Sequence, residues 1–71
     1  MKRSFKLTNL DCAHCAAKME AGINKLEGVT ASINFMTARL TLEADDDIFN
    51  QSVDAAQKVI LGIERDCRIV R

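Results

Sequence analysis

Two cysteines and an aspartate near the amino terminus are the residues of this chain best suited to chemistry. Cys12 and Cys15 are separated by two residues, and Asp11 directly precedes the first of them. Two thiolates at this spacing can bind one soft or borderline metal ion, although redox-active pairs use the same spacing. If Cys15 lies at the start of a helix, the helix dipole and the free N–H groups lower its pKa. The pair is therefore a metal site, a redox pair or two packed cysteines.

Asp11 bears on which metal such a pair would prefer. Cu(I) with two thiolates already carries a negative charge, which a carboxylate would double, whereas a divalent ion with two thiolates is neutral. The hard carboxylate therefore favours Zn(II), Cd(II) or Pb(II) over Cu(I). Two sulfurs and one carboxylate leave a tetrahedral ion one ligand short, which suits a site that hands its metal on. The alternative role for Asp11 is to cap the helix that follows.

Three other residues, His14, Cys67 and Met36, have side chains that could bind a metal ion. His14 lies between the two cysteines, where side chains point to solvent, so we expect an exposed histidine or a transient ligand. Cys67 lies beside Ile69 on the inward face of a predicted strand, and a buried free cysteine is common in a protein core. Met36 is expected in a hairpin turn and gives no copper signal.

Composition limits the class of protein. The chain has 71 residues, 48% of them hydrophobic, and a formal net charge of zero. This predicts one small globular domain that spans residues 1–71, without a signal peptide or an apolar run of membrane length. Three cysteines are an odd number, which favours reduced thiols in the cytosol over a disulfide framework. Three Phe without Tyr or Trp, and no basic patch, argue against nucleic acid as a partner.

The hydrophobic pattern changes period along the chain. Apolar and polar residues alternate over residues 3–8 and 29–35, which predicts two strands, with Phe35 pointing inward. Residues 38–43 alternate in the same way and are expected to form a hairpin with residues 29–35. Helical spacing begins near Cys15 and stops at Gly28. A second helix follows the acidic run Asp45–Asp47, which is expected to cap it. This second helix is expected to stop at Gly62. Ile63, Cys67 and Ile69 are expected on one face of a last strand. The order predicts an α+β fold of the ferredoxin-like βαββαβ type, with a four-stranded antiparallel sheet and two helices on one face.

Taken together, the Leu10-Asp11-Cys12-x-x-Cys15 motif between the first strand and the first helix, within a βαββαβ chain of this size, resembles the heavy-metal-associated domain. The resemblance covers the whole chain. Copper-binding members usually have Met-Thr or Met-Ser before the first cysteine, and many place an aromatic residue or a Lys near the position of Ile63. Leu10-Asp11 is instead similar to the branch found at the N-terminus of zinc-, cadmium- and lead-transporting P-type ATPases.

This resemblance implies a function. Cys12 and Cys15 are expected to be thiolate ligands and Asp11 a carboxylate ligand of Zn(II), Cd(II) or Pb(II). The domain would be non-catalytic and would deliver or sense metal on the cytosolic side of a P-type ATPase, with that transporter's other domains or membrane part as partners. A metal-bridged dimer could fill the open coordination position.

Two other functions stay open. The first is a free-standing Cu(I) chaperone, which belongs to the same family. The second is a dithiol oxidoreductase; a thioredoxin-like enzyme needs a cis-proline opposite its cysteine pair, and this chain has no proline.

Overall fold

The computed structural model describes residues 1–71 and confirms the predicted order of elements. The order is strand, helix, strand, strand, helix, strand, and a short 3-10 helix precedes the second helix. The elements are β1 (Lys2–Thr8), α1 (Ala13–Asn24), β2 (Thr30–Asn34), β3 (Arg39–Glu43), the 3-10 helix (Asp46–Ile48), α2 (Phe49–Ile63) and β4 (Arg68–Val70).

The four strands form one antiparallel sheet in the order β2-β3-β1-β4. Each helix lies between two strands that are not neighbours in the sheet, as the split βαβ arrangement requires. Phe5 lies opposite Leu40 and Leu7 opposite Ile69, so their inward side chains meet on the face that the helices cover. The predicted apolar stripe of α2 is buried there, as are Met19 and Ile23 of α1. This core holds the carboxyl end of β1 against the amino end of α1.

Side chains from both helices pair with the two edges of the sheet. Asn24 accepts a hydrogen bond from the Ala31 N–H at 2.7 Å and donates to the Ala31 carbonyl oxygen at 2.9 Å. On the other edge, Gln57 accepts from the Ile69 N–H at 2.7 Å and donates to the Cys67 carbonyl oxygen at 3.1 Å. These contacts satisfy backbone groups that an edge strand would otherwise present to another chain.

The hairpin differs from the prediction at Phe35 and Ala38. The strands end at Asn34 and resume at Arg39, and the side chain of Phe35 is 37% exposed instead of pointing inward. The Asn34 side chain accepts a hydrogen bond from the Thr37 N–H at 3.2 Å, and Ala38 adopts a left-handed φ of 53°. Asparagine side chains favour such local turns over continued strand pairing.

The ends of the helices also differ from the prediction. α1 ends at Asn24, before Gly28, which has a φ of 75° in the connection to β2. α2 runs past Gly62 to Ile63, because the Glu64 N–H still donates to the Ile60 carbonyl oxygen at 2.8 Å. Ile63 therefore belongs to α2 and not to the last strand.

The acidic run does not cap α2 as predicted. Asp46 and Asp47 form part of the 3-10 helix, and the side chain of Asp45 makes no capping hydrogen bond. The carboxylate of Asp46 instead lies 2.9 Å from the amino group of Met1. The chain enters α2 through a tighter helical turn, which satisfies backbone groups without a side-chain cap.

Candidate metal-binding site

The loop that carries the cysteine pair is tied to the other end of the chain. Asn9 adopts a left-handed φ of 56° directly after β1, and its side-chain amide donates to the Asp66 carbonyl oxygen at 3.0 Å. Thr8 and Arg68 are linked through the Thr8 hydroxyl, which accepts from the Arg68 N–H at 3.2 Å. The turn between α2 and β4 therefore lies against the loop.

Cys12 is the amino-terminal cap of α1. Its backbone is extended, with φ −132° and ψ 113°, and its Sγ accepts a hydrogen bond from the Cys15 N–H at 3.2 Å. Cys15 lies in the first turn of the helix and packs against the core. Both thiols are half-buried and free. The two residues that the sequence selected are thus adjacent at a helix N-terminus, where negative charge is favoured.

The two thiols differ in acidity because they are hydrogen-bonded to each other. The Cys15 side chain and backbone N–H donate to Cys12, and these bonds lower the pKa of the Cys12 thiol. The same side-chain bond holds the proton of Cys15 and, with partial burial, raises the pKa of Cys15. Cys12 is therefore the thiol that more readily carries the negative charge, and the prediction of a lowered pKa for Cys15 was wrong.

Asp11 is exposed and does not cap the helix, because the Sγ of Cys12 holds that position. Nor does the structure assemble any group of three or more His, Cys, Asp or Glu side chains that could hold a metal ion. Asp11 lies near enough for its charge to oppose the lowered pKa of Cys12, although this effect is smaller than that of the hydrogen bonds. His14, between the cysteines, is exposed as expected.

Glu64 is a residue near the site that the sequence pattern did not reveal. It is the half-buried carboxyl-terminal cap of α2, and the Cys67 N–H donates to its carbonyl oxygen at 3.3 Å. Its negative charge contributes to the raised pKa values of both Cys15 and Cys67, after the larger effects of hydrogen bonding and burial. Only the approach of α2 to α1 in the fold brings this carboxylate toward the thiols, 49 positions beyond Cys15 in the numbering.

Cys67 belongs to the core, as predicted. Its side chain is 0% exposed, and burial raises the pKa of its thiol. Met19 is likewise buried, while Met36 in the hairpin turn is 89% exposed. Cys67 does not form a three-ligand group with the cysteine pair.

Comparison with known proteins agrees with the resemblance seen in the sequence. Residues 4–62 match the model of the heavy-metal-associated domain. The zinc/cadmium/lead-transporting P-type ATPase of Shigella sonnei is 41% identical over 56 residues, which is 78% of this chain and 8% of the transporter. The copper-exporting P-type ATPase of Staphylococcus haemolyticus is 33% identical over 58 residues, 79% of this chain and 7% of that protein.

A solved structure also matches nearly the whole chain. The N-terminal domain of ZntA in its Zn(II) form superimposes with a TM-score of 0.67 and 33% sequence identity, covering 97% of this chain and 88% of that domain. The chain thus matches most of that domain but less than a tenth of the length of the transporters it resembles. Neither α-helix has the length and apolar character that a membrane crossing requires.

Proposed function

Because the chain belongs to the family of heavy-metal-associated domains, we propose that it binds one Zn(II), Cd(II) or Pb(II) ion through the thiolates of Cys12 and Cys15. Domains of this family are small metal-binding domains that catalyse no reaction on their own. The observation that supports the proposed ligands is the pair of adjacent, half-buried thiols at the N-terminus of α1. Thiolates are the ligands that soft and borderline ions prefer.

Asp11 is proposed as a third ligand. Its side chain is free at the surface, so it can turn toward a metal held by the two sulfurs at the cost of a side-chain rotation. With a divalent ion, the carboxylate makes the site only singly negative, whereas with Cu(I) it would leave two negative charges together. The charge of Glu64 also acts on Cys15, so this second carboxylate strengthens the same preference.

The site is suited to metal exchange. Two thiolates and Asp11 leave one position of a tetrahedral ion open, and the loop lies at the surface. A thiolate or carboxylate from a partner enters this position, after which Cys15 or Cys12 dissociates.

We propose that the partner is a metal-transporting P-type ATPase, to which this domain delivers metal or for which it senses metal on the cytosolic side of the membrane. The similarity to the start of zinc/cadmium/lead transporters supports this placement. The other domains of such a transporter, or its membrane part, would then be the partners in exchange.

A competition titration of the reduced protein with Cd(II), Zn(II) and Cu(I) tests the proposal. Thiolate-to-metal charge-transfer absorbance gives the stoichiometry, and we expect one divalent ion per chain. Asp11→Ala should weaken Cd(II) binding by about tenfold, which is the loss of one charged ligand of about 1.4 kcal/mol. Asp66→Asn, in the turn beside the loop, is the matched control and should leave the affinity unchanged. Half an ion per chain with a doubled mass would instead identify a metal-bridged dimer.

The second candidate is a free-standing Cu(I) chaperone, and the similarity to a copper-exporting ATPase supports Cu(I) as the metal. Two sulfur ligands are sufficient for Cu(I), so the affinity of the protein for Cu(I) should not depend on Asp11. Preferential binding of Cu(I), unchanged in the Asp11→Ala variant, would overturn the divalent assignment.

A further inference from the structure

A second surface feature lies at the end of the domain away from the cysteines. An open groove with a volume of about 240 Å³ separates the carboxyl end of α1 from the amino end of α2. Four apolar side chains line it: Leu26, Val29, Ile48 and Ala55. Small-molecule pockets range over about 300–1,000 Å³, so this groove is better matched to one or two side chains of a peptide.

The residues in and next to the groove wall carry mainly negative charge. Glu27 is part of its wall, and Asp46, Asp47 and Asp54 lie within two residues of other wall positions. Lys25 is the single basic residue that lies within two residues of a wall position in the sequence. Asp46 and Asp54 are paired with Met1 and Arg71, whereas Glu27 and Asp47 form no salt bridge. Glu27 in the wall and Asp47, which directly precedes Ile48 of the wall, are therefore carboxylates that a cation could neutralise.

We propose that this groove binds a basic peptide segment of a partner protein, with one apolar side chain as an anchor between Lys or Arg residues. The anchor would contact Leu26, Val29 and Ile48, and the flanking cations would pair with Glu27 and Asp47. An apolar anchor in a pocket with a charged rim is a common mode of peptide recognition.

The sign of the charge decides against other occupants. Anionic lipid headgroups and nucleic acid would be repelled by the carboxylates. A second copy of this chain that docked through the same groove would place Glu27 and Asp47 against their own counterparts. A basic segment is the partner that this charge distribution attracts.

The groove is separate from the cysteine pair. Cys15 lies in the first turn of α1 and Leu26 lies two residues beyond its end, so the helix places the two residues about 16 Å apart. A segment bound in the groove would leave the loop accessible, and the domain could be held near a partner while it exchanges metal. This inference does not depend on which metal the thiols bind.

Heteronuclear NMR titration with short peptides tests the proposal. The probes are ten-residue peptides with one central Leu, Met or Phe among alternating Lys and Ala, and we expect shifts confined to the groove. The Glu27→Lys/Asp47→Lys variant should weaken binding by about tenfold or more, and so should replacement of the central residue by Ser. Asp66→Lys, a charge reversal at the opposite end, is the control and should have little effect.

Two results would overturn the proposal. One is the absence of groove shifts with all three peptides. The other is equal binding of the Leu and Ser peptides, because attraction without an anchor is non-specific. The Cys12→Ser/Cys15→Ser variant should bind the peptides as well as the parent does, so failure of the metal site and failure of the groove are distinguished.

Discussion

The two connections from strand to helix occupy equivalent places in the two βαβ units, yet they are built differently. After β1, the chain reaches α1 through a loop in which a half-buried thiol caps the helix. After β3, it reaches α2 through a 3-10 turn that leads directly into Phe49, which is 2% exposed. The first connection leaves reactive groups near the surface and the second closes the core. The two connections thus differ in role, since the first carries the thiols and the second contributes a side chain to the core that both halves share.

Removing both thiols should have the largest effect on function and little effect on the fold. We expect Cys12→Ser/Cys15→Ser to weaken Cd(II) binding by more than about a thousandfold, because both strong ligands are lost. The free energy of unfolding should change by less than about 1 kcal/mol, since a serine hydroxyl also caps a helix. A chelator competition assay and urea unfolding measure the two quantities. Cadmium affinity equal to that of the parent would show that other residues are the ligands.

A substitution in the second connection is expected to lower stability and to leave metal binding unchanged. Phe49→Leu keeps most of the buried apolar surface but loses the ring that stacks on Phe5, with centroids 6.3 Å apart. We expect a loss of about 1–2 kcal/mol in the free energy of unfolding and an unchanged Cd(II) affinity. A reduced Cd(II) affinity in the folded variant would mean that the two connections are coupled and do not have separate roles.

A third variant tests the contact between the halves. Gly22 of α1 faces Val59 of α2, and a Cβ added at Gly22 would lie 2.7 Å from the Val59 Cγ1. Although alanine favours a helix over glycine by about 1 kcal/mol, we expect Gly22→Ala to lower stability by about 1 kcal/mol, because Val59 is β-branched and cannot easily move.

A double-mutant cycle separates the clash from helix propensity. In the Val59→Ala background, Gly22→Ala should be neutral or stabilising, as measured by urea unfolding. An equal loss in both backgrounds would show that the close contact does not limit the packing of the two helices.

The hydrophobic period predicted the order of elements because long stripes such as Phe49, Val53, Ala56 and Ile60 are decided by burial. Element ends were less predictable, because they depend on single hydrogen bonds. Nothing in the residue type of Ala38 indicates a left-handed turn, and alternation alone continued the strand through Phe35. Gly62 resembled a helix stop but lies inside α2.

The candidate site was predictable only where it is local. Cys12 and Cys15 are close in sequence, so their spacing revealed them, and the structure adds that Cys12 itself is the helix cap. Glu64 comes near the loop through the packing of α2 and the turn before β4, and no local pattern marks such a contact.

The smallest effect expected is a difference between the two thiols of the first connection. Hydrogen bonds from Cys15 lower the pKa of Cys12, and the bond to Cys12 raises the pKa of Cys15. Since the thiolate is the reactive form, iodoacetamide near neutral pH should modify Cys12 several times faster than Cys15, while the buried Cys67 stays protected. Peptide mapping by mass spectrometry over a pH series measures the rates.

Removing the side-chain donor tests the cause of this difference. In Cys15→Ala, Cys12 keeps the backbone N–H but loses the S–H donor, so its pKa should rise toward the ordinary value. The pH at which Cys12 becomes reactive should then shift upward, and modification at neutral pH should slow. An unchanged pH profile would mean that the helix N-terminus alone sets the acidity of Cys12, and the special character of the first connection would rest on its backbone and not on the pairing of its thiols.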